Sequence, residues 1–344
     1  MKIDPEIFRV LADTDIRLKD CPTLIKPYYR TKKEYRQMLE EDTEELSELQ
    51  SVLNASGQYA LLIIFQAMDA AGKDGAIKHV MSGVNPQGCR VYNFKQPTEK
   101  ELKHDFLWRA VCQLPERGEI GIFNRSYYED VLVVKVHPEI LDRQNLPDMK
   151  AGTDLWEDRY RSIRDLEAHL HRNGTRIIKF FLHISKEEQR KRLLERIDIP
   201  DKNWKLSLAD FEERKYWDEY MDAFEKCLLA TTTDNCPWYF VPADDKNNAR
   251  LIISSVILKT LKDLKLSYPH ATKKHYHQLE MLRTKLEEYQ QTQALIQNAE
   301  ETIRKDKADL EALQAQLEEE QQAVNLHTAR RSSAPGPPPC RRGG

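Results

Sequence analysis

The segment Leu61-Leu-Ile-Ile-Phe-Gln-Ala-Met-Asp-Ala-Ala-Gly-Lys-Asp-Gly75 constrains this chain more than any other. An apolar run of strand character ends in a short loop carrying Gly72 and Lys73, and a helix-compatible segment follows. Strand, loop and helix in that order make a phosphate cradle. Backbone N–H groups turn inward, a helix N-terminus faces the anion, and one lysine supplies mobile positive charge. Against G-x-x-x-x-G-K-[ST], Ala67 stands at the first glycine and Asp74 replaces the metal-binding hydroxyl. The loop adds a carboxylate of its own, Asp69. The anion-binding half of the pattern is kept and the metal-binding half is rearranged. The competing reading is an ordinary turn with an incidental lysine.

A second strand candidate ends in Gly121-Ile-Phe-Asn-Arg-Ser-Tyr-Tyr-Glu-Asp130. Arg125 at a strand end, close to a phosphate loop, suits neutralisation of a phosphoryl group; the alternative is a structural ion pair with Glu129 or Asp130. Asn124 brings an uncharged acceptor to a position where a metal-binding aspartate is common, which leaves Asp69 as the anionic metal ligand. A third feature is basic. Ser185 and Glu188 form a capping box, and Arg190, Lys191, Arg192, Arg196, Lys202 and Lys205 follow. Arg192 and Arg196, four apart, share a helix face that could close over a phosphoryl donor as a lid. A solvated face paired to Glu187, Glu188 and Glu195 is the alternative.

Between these motifs, apolar runs at 60–65, 90–94, 119–123, 176–184 and 238–241 alternate with helical patterns at 76–82, 99–113, 155–173, 186–197, 209–230 and 248–264. Such alternation predicts a parallel sheet covered by helices on both faces, with ligands at the C-terminal strand ends. The chain divides into an N-terminal helical extension (1–55), with helical spacing over 40–53, and a catalytic domain (56–270) with its lid at about 186–215. A long helix (272–328) and a disordered tail (329–344), rich in Pro, Gly and Arg, follow. In the long helix Leu282, Tyr289, Ile296, Ile303, Leu310, Leu317 and Val324 recur every seven residues. The companion seam starts as Leu279 and Leu286 and then turns polar, giving a weak coiled-coil pattern.

With 53 basic and 56 acidic residues in 344, the chain is nearly neutral, and no global excess argues for nucleic acid. Any polyanion site must be a local cluster. Six scattered cysteines without a C-x-x-C pair suit reduced thiols in a cytoplasmic protein. The start lacks a signal-like apolar core, and no run reaches membrane-spanning length.

Ala67-Met-Asp-Ala-Ala-Gly-Lys-Asp-Gly75, Asn85-Pro-Gln-Gly88, Phe123-Asn-Arg-Ser-Tyr-Tyr-Glu-Asp130, Lys179-Phe-Phe-Leu-His-Ile-Ser185, Glu188-Gln-Arg-Lys-Arg192 and Pro242-Ala-Asp-Asp-Lys246 together resemble the polyphosphate kinase 2 family over roughly 20–268. The resemblance implies a three-layer α/β/α P-loop kinase-like domain with a helical lid. It also implies transfer of phosphoryl groups between inorganic polyphosphate and nucleotides (AMP, ADP or others). Magnesium would be the metal, with manganese as a substitute, and the assembly a dimer or tetramer. By the same resemblance Lys73 holds the transferring phosphoryl, and Asp69 binds the metal and helps orient or deprotonate the acceptor phosphate. Arg125 and Arg192 neutralise charge in the transition state. Ala71, Gly72, Lys73, Asp74, Gly75, Lys78 and Arg214 would bind polyphosphate. Asn124, Tyr127, Glu129 and Asp130 would bind the nucleotide, and Asn124 with Glu129 suggests the subgroup that accepts mono- as well as diphosphates. The rival readings are an ATP-dependent nucleotide kinase and a coiled-coil scaffold with an inactive P-loop domain.

Overall fold

The computed structural model describes residues 3–12, 16–146, 154–205 and 208–332. Strands β1 (Ala60–Ala67), β2 (Cys89–Asn93), β3 (Ile120–Asn124), β4 (Thr175–His183) and β5 (Trp238–Pro242) form one parallel sheet in the order β2-β3-β1-β4-β5. All five lie within about two residues of their expected places. β1 is central: Ile63 lies between Ile122 of β3 and Ile178 of β4. Its first six side chains are almost wholly buried, as a strand covered on both faces requires.

The helices are α1 (Lys32–Ser56), α2 (Lys73–Val80), α3 (Glu99–Leu102), α4 (Trp108–Val111), α5 (Glu129–Val136), α6 (Glu139–Gln144), α7 (Leu155–Arg172), α8 (Lys186–Asp198), α9 (Leu208–Glu213), α10 (Trp217–Thr231), α11 (Lys246–Asp263) and α12 (Lys273–Ser332). α1, α2 and α11 pack together, and α5, α7 and α10 form the other helical layer. α1 starts earlier than the expected 40–53, because Thr31 caps it by accepting from the Glu34 N–H. It buries Leu39, Leu46 and Leu53, and ends at Gly57 in the left-handed conformation. It belongs to one compact unit, Met1–Pro269; His270–Gly344 is a second.

Other helical expectations change as well. The pattern at 99–113 resolves into α3 and α4, because Asp105 accepts from the Leu107 N–H and turns the chain between them. The pattern at 209–230 is broken into α9, a 3₁₀ turn at Arg214–Tyr216 and α10. The break falls where Arg214 donates to Lys186 O and Gln189 Oε1, and where Glu213 accepts from Tyr220. α5 and α6 were not anticipated; the Val131–Val136 run lacks a one-sided helical stripe because α5 is buried on most sides. α12 reaches Ser332, so the expected tail cannot begin at 329; residues 333–344 lie outside the described ones.

Inside the core, Lys179 of β4 and Glu167 of α7 form an ion pair of 2.6 Å with both side chains fully buried. Lys179 Nζ also donates to Thr231 O and Tyr128 Oη, and the Tyr127 and Tyr128 hydroxyls both donate to Glu167 Oε1. This saturation is what makes a buried ion pair tolerable. Lys179→Met should therefore lower stability by about 3–5 kcal/mol in urea unfolding, since it strands Glu167 without its partner. A loss below about 1 kcal/mol would remove the pair from the account.

Candidate active site

β1 and β3 end side by side, and the two sequence motifs meet there. After β1 the chain turns through Ala70 (φ 62°) and Gly72 (φ 107°) before α2 begins at Lys73. Gly72 is called for by its φ, which L side chains rarely adopt; the space itself would admit a Cβ, which would stand in ordinary contact 3.7 Å from Arg192 Nη1. After β3, Arg125 also adopts a positive φ of 63°, and its N–H donates to Phe65 O of β1. Two non-glycine residues in left-handed conformations at adjoining strand ends are backbone strain held where ligand would bind.

Arg125 Nη2 donates to Asp69 Oδ1 at 2.9 Å, and its Nη1 stands 3.6 Å from Glu129 Oε2. Lys73 Nζ is buried and donates to Ala67 O at 2.8 Å and more weakly to Met68 O. Burial, and then the Arg125 guanidinium, push its pKa down to about 8; Asp69, Glu129 and Asp74 oppose the shift. Burial raises Glu129, against the pull of Arg125 and Lys73. Burial likewise raises Asp130, which Arg159 and the Gln144 amide counter. Asn124 Nδ2 donates to Asp74 Oδ1 and Asn93 Oδ1, while its own Oδ1 is buried and accepts no hydrogen bond among the described residues.

Two cavities share the Asp69–Arg125 pair in their lining. A groove of about 730 Å³ runs past the loop from Asp69 to Ala76, with Lys73, Lys95, Arg196, Lys246 and Arg250 on its walls. A cleft of about 320 Å³ is mixed in character: Arg109, Glu129, Asp130, Gln144 and Arg214 share it with Leu102, Val133 and Phe224. Asp69 and Arg125 line both.

The expected site residues divide accordingly. Asp69, Ala71, Gly72, Lys73, Asp74, Gly75, Asn124 and Arg125 converge on the groove, and Glu129 and Asp130 line the cleft. Tyr127 does not reach either: it is fully buried, its hydroxyl spent on Glu167. Arg214, expected along the polyphosphate path, lines the cleft instead, and the exposed Lys78 of α2 lines neither cavity. Lys202 and Lys205 have side chains outside the described ones. Arg192 is the larger surprise. Only 3% of its side chain is exposed. Its donors go to Ala70 O, Ala71 O, Ala243 O, Asp244 O and Glu188 Oε1. It touches the groove wall but is committed to bracing the loop against the end of β5. Gln189 Nε2 adds a bond to Asp69 O.

Sequence reasoning missed Lys95, Arg109 and Arg250. Lys95 lies in the loop after β2 and Arg109 on the short α4, and Arg109 donates to Lys95 O. Arg250 had a usable signal, since it is four residues after Lys246 on α11, within the same helix face.

A parallel sheet with a phosphate loop after its central strand, a basic groove and an arginine from the neighbouring strand end define a P-loop phosphotransferase architecture. The chain belongs to the polyphosphate kinase 2 family, whose profile, Polyphosphate kinase 2 (PPK2), matches residues 29–269. It is 58% identical over 287 residues to an ADP-polyphosphate phosphotransferase of Rhodopseudomonas palustris, covering 83% of this chain and 99% of that one. An AMP/ADP-polyphosphate phosphotransferase of Meiothermus ruber is 48% identical over 224 residues, 65% of this chain and 80% of that protein. The crystal structure of polyphosphate kinase 2 from Arthrobacter aurescens superposes with a TM-score of 0.74 at 38% identity, covering 82% and 97% of the two chains. Among the described residues, no helix is long and apolar enough to cross a membrane.

The protonation of Lys73 sets a testable pH dependence. With the Lys73 ammonium as the expected anion contact, tripolyphosphate affinity should fall as pH rises through about 8, by about tenfold per unit above it. Lys73→Arg should keep affinity flat there, by calorimetry. Undiminished wild-type affinity at pH 9.5 would take Lys73 out of the anion site.

Proposed function

We propose that this chain transfers phosphoryl groups between inorganic polyphosphate and a nucleoside mono- or diphosphate. The observation that carries the reading is the sharing of one Asp69–Arg125 pair by two chemically different cavities. A linear polyanion offers no base to recognise, and a groove walled by lysines and arginines suits it. A nucleotide offers an apolar base face, hydroxyls and phosphate. The cleft, with Phe224 and Val133 beside Asp130, Gln144 and Arg109, suits that mixture. Acceptor and donor phosphates would then meet at Asp69 and Arg125.

The residues are disposed for transfer by positioning and charge. Backbone N–H groups after Gly72 and the Lys73 ammonium would grip the donor end. Arg125 would stabilise charge on the transferring group, its guanidinium held in place by Asp69 and Glu129. An acceptor phosphate is already ionised near neutral pH, so a strong general base is not needed.

A divalent ion fits this site. Magnesium retains several waters and takes phosphate oxygens as ligands, so one or two protein groups suffice. That requirement is compatible with the lack, among the described residues, of any cluster of three or more His, Cys, Asp or Glu side chains disposed for a metal. Asp69, partly exposed at the junction of the cavities, would hold the ion, and the unpaired Asn124 Oδ1 would accept from one of its waters. When bound, the ion would neutralise phosphate charge; manganese would serve the same purpose. We assign the reaction to the cytoplasm, in keeping with free thiols among the described cysteines.

The test is to mix the protein with long-chain polyphosphate, magnesium and either AMP or ADP, and to identify products. ADP or ATP should form without added ATP. Lys73→Ala should reduce the rate by about 10²–10³ while the fold survives. Asp69→Asn should raise the magnesium concentration needed for half-maximal rate. No product with either acceptor would refute the reading; an unchanged magnesium titration would remove Asp69 from the metal site.

A further inference from the structure

Helix α12 belongs to a unit of its own, His270–Gly344, and its large apolar side chains at the described seam positions are exposed. Leu279, Leu282, Leu286, Tyr289, Ile296, Ile303, Leu310, Leu317 and Val324 are all exposed along it. The catalytic reading makes no use of them. Two seams run along this face. One is apolar throughout, from Leu282 to Val324 in steps of seven. The other begins with Leu279 and Leu286 and continues as Gln293, Glu300, Lys307, Gln314 and Gln321.

The seams settle what such a face can pair with. In a parallel, in-register pair each residue of the mixed seam meets itself. Glu300 would face Glu300, Lys307 would face Lys307, and three further layers would be glutamine on glutamine. Reversing one helix about a centre between Glu301 and Thr302 removes every one of these self-encounters. The layers become Leu279–Val324, Leu286–Leu317, Gln293–Leu310, Glu300–Ile303, Lys307–Ile296, Gln314–Tyr289 and Gln321–Leu282. Each polar residue then lies against an apolar one, and the two leucines of the mixed seam meet apolar partners.

The flanking charges choose the same register. It brings Arg283 opposite Glu318 and Lys285 opposite Glu320, and sets no like charges opposite each other in the intervening flanking pairs. A slip of one heptad towards the C-terminus would place Arg304 on Arg304 and Asp306 on Asp306. In the parallel arrangement Asp306 would flank Glu311, with no opposite-charge pair to offset it. The helix is thus complementary to its own reverse.

We propose that α12 is an interaction surface for a second copy of this chain, forming an antiparallel two-stranded coiled coil centred between residues 301 and 302. The overlap from 279 to 324 spans roughly 70 Å at 1.5 Å per residue. The two catalytic units enter it from opposite ends.

Cysteine cross-linking in the full chain tests the arrangement. Leu279→Cys combined with Val324→Cys should give a covalent dimer on mild oxidation, with peptide mapping showing the 279–324 link. Either substitution alone should give no link at its own position, because two copies of the same residue lie at opposite ends. A 279–279 link would mean a parallel pair, and no link in the paired variant would mean that copies do not pair here; either overturns the proposal. Charge reversal supplies a second measurement. Arg283→Glu with Lys285→Glu should shift sedimentation towards the smaller species, and adding Glu318→Lys with Glu320→Lys should restore the larger. Sedimentation indifferent to both sets would contradict the register.

Discussion

The bracing of the phosphate loop by Arg192 is the interaction on which the site depends. A loop that turns its N–H groups inward must turn carbonyls outward, and outward carbonyls need donors. Ala70 O and Ala71 O find theirs in one guanidinium, whose other nitrogens bind Ala243 O, Asp244 O and Glu188. Asp244 in turn accepts from the Ser185 N–H at the start of α8. The loop after β1, the end of β5 and the basic helix are thereby joined through a planar fork of donors that lysine could not imitate.

The sheet explains why the chemistry collects where it does. β1 lies between β3 and β4, so the loop after β1 stands next to Asn124 and Arg125 without any long connection. Arg125 then reaches back to Asp69, and the pair lines both a basic groove and a mixed cleft. Burial does the electrostatic work. It lowers the Lys73 pKa and raises that of Glu129, bringing both nearer neutrality, while Arg125 between them opposes the rise at Glu129 and adds to the fall at Lys73.

Much of the architecture was legible in the sequence because parallel strands buried on both faces read as uninterrupted apolar runs. The phosphate loop was legible because Gly72 and Lys73 are chemically hard to replace. Other features were hidden for physical reasons. The spacing of Arg192 and Arg196 revealed a shared helix face, but not that Arg192 would be sealed against loop carbonyls while Arg196 lines the groove. Tyr127 sits inside a functional motif, yet its ring belongs to the core and its hydroxyl to Glu167. Lys95, Arg109 and Arg250 come from the loop after β2, from α4 and from α11, and only the tertiary fold brings them to the cavities. The α9–α10 break depends on Arg214 contacting α8, a contact that local propensity does not encode.

Amide hydrogen exchange of the 69–76 loop in wild-type and Arg192→Lys protein, alongside their transfer rates, tests the central claim most directly. The account predicts faster exchange confined to that loop and the start of α2, unchanged protection in β1 and β4, and a matching loss of rate. Unchanged loop protection with a lost rate would contradict it, and would make Arg192 a phosphate contact in place of the brace described above.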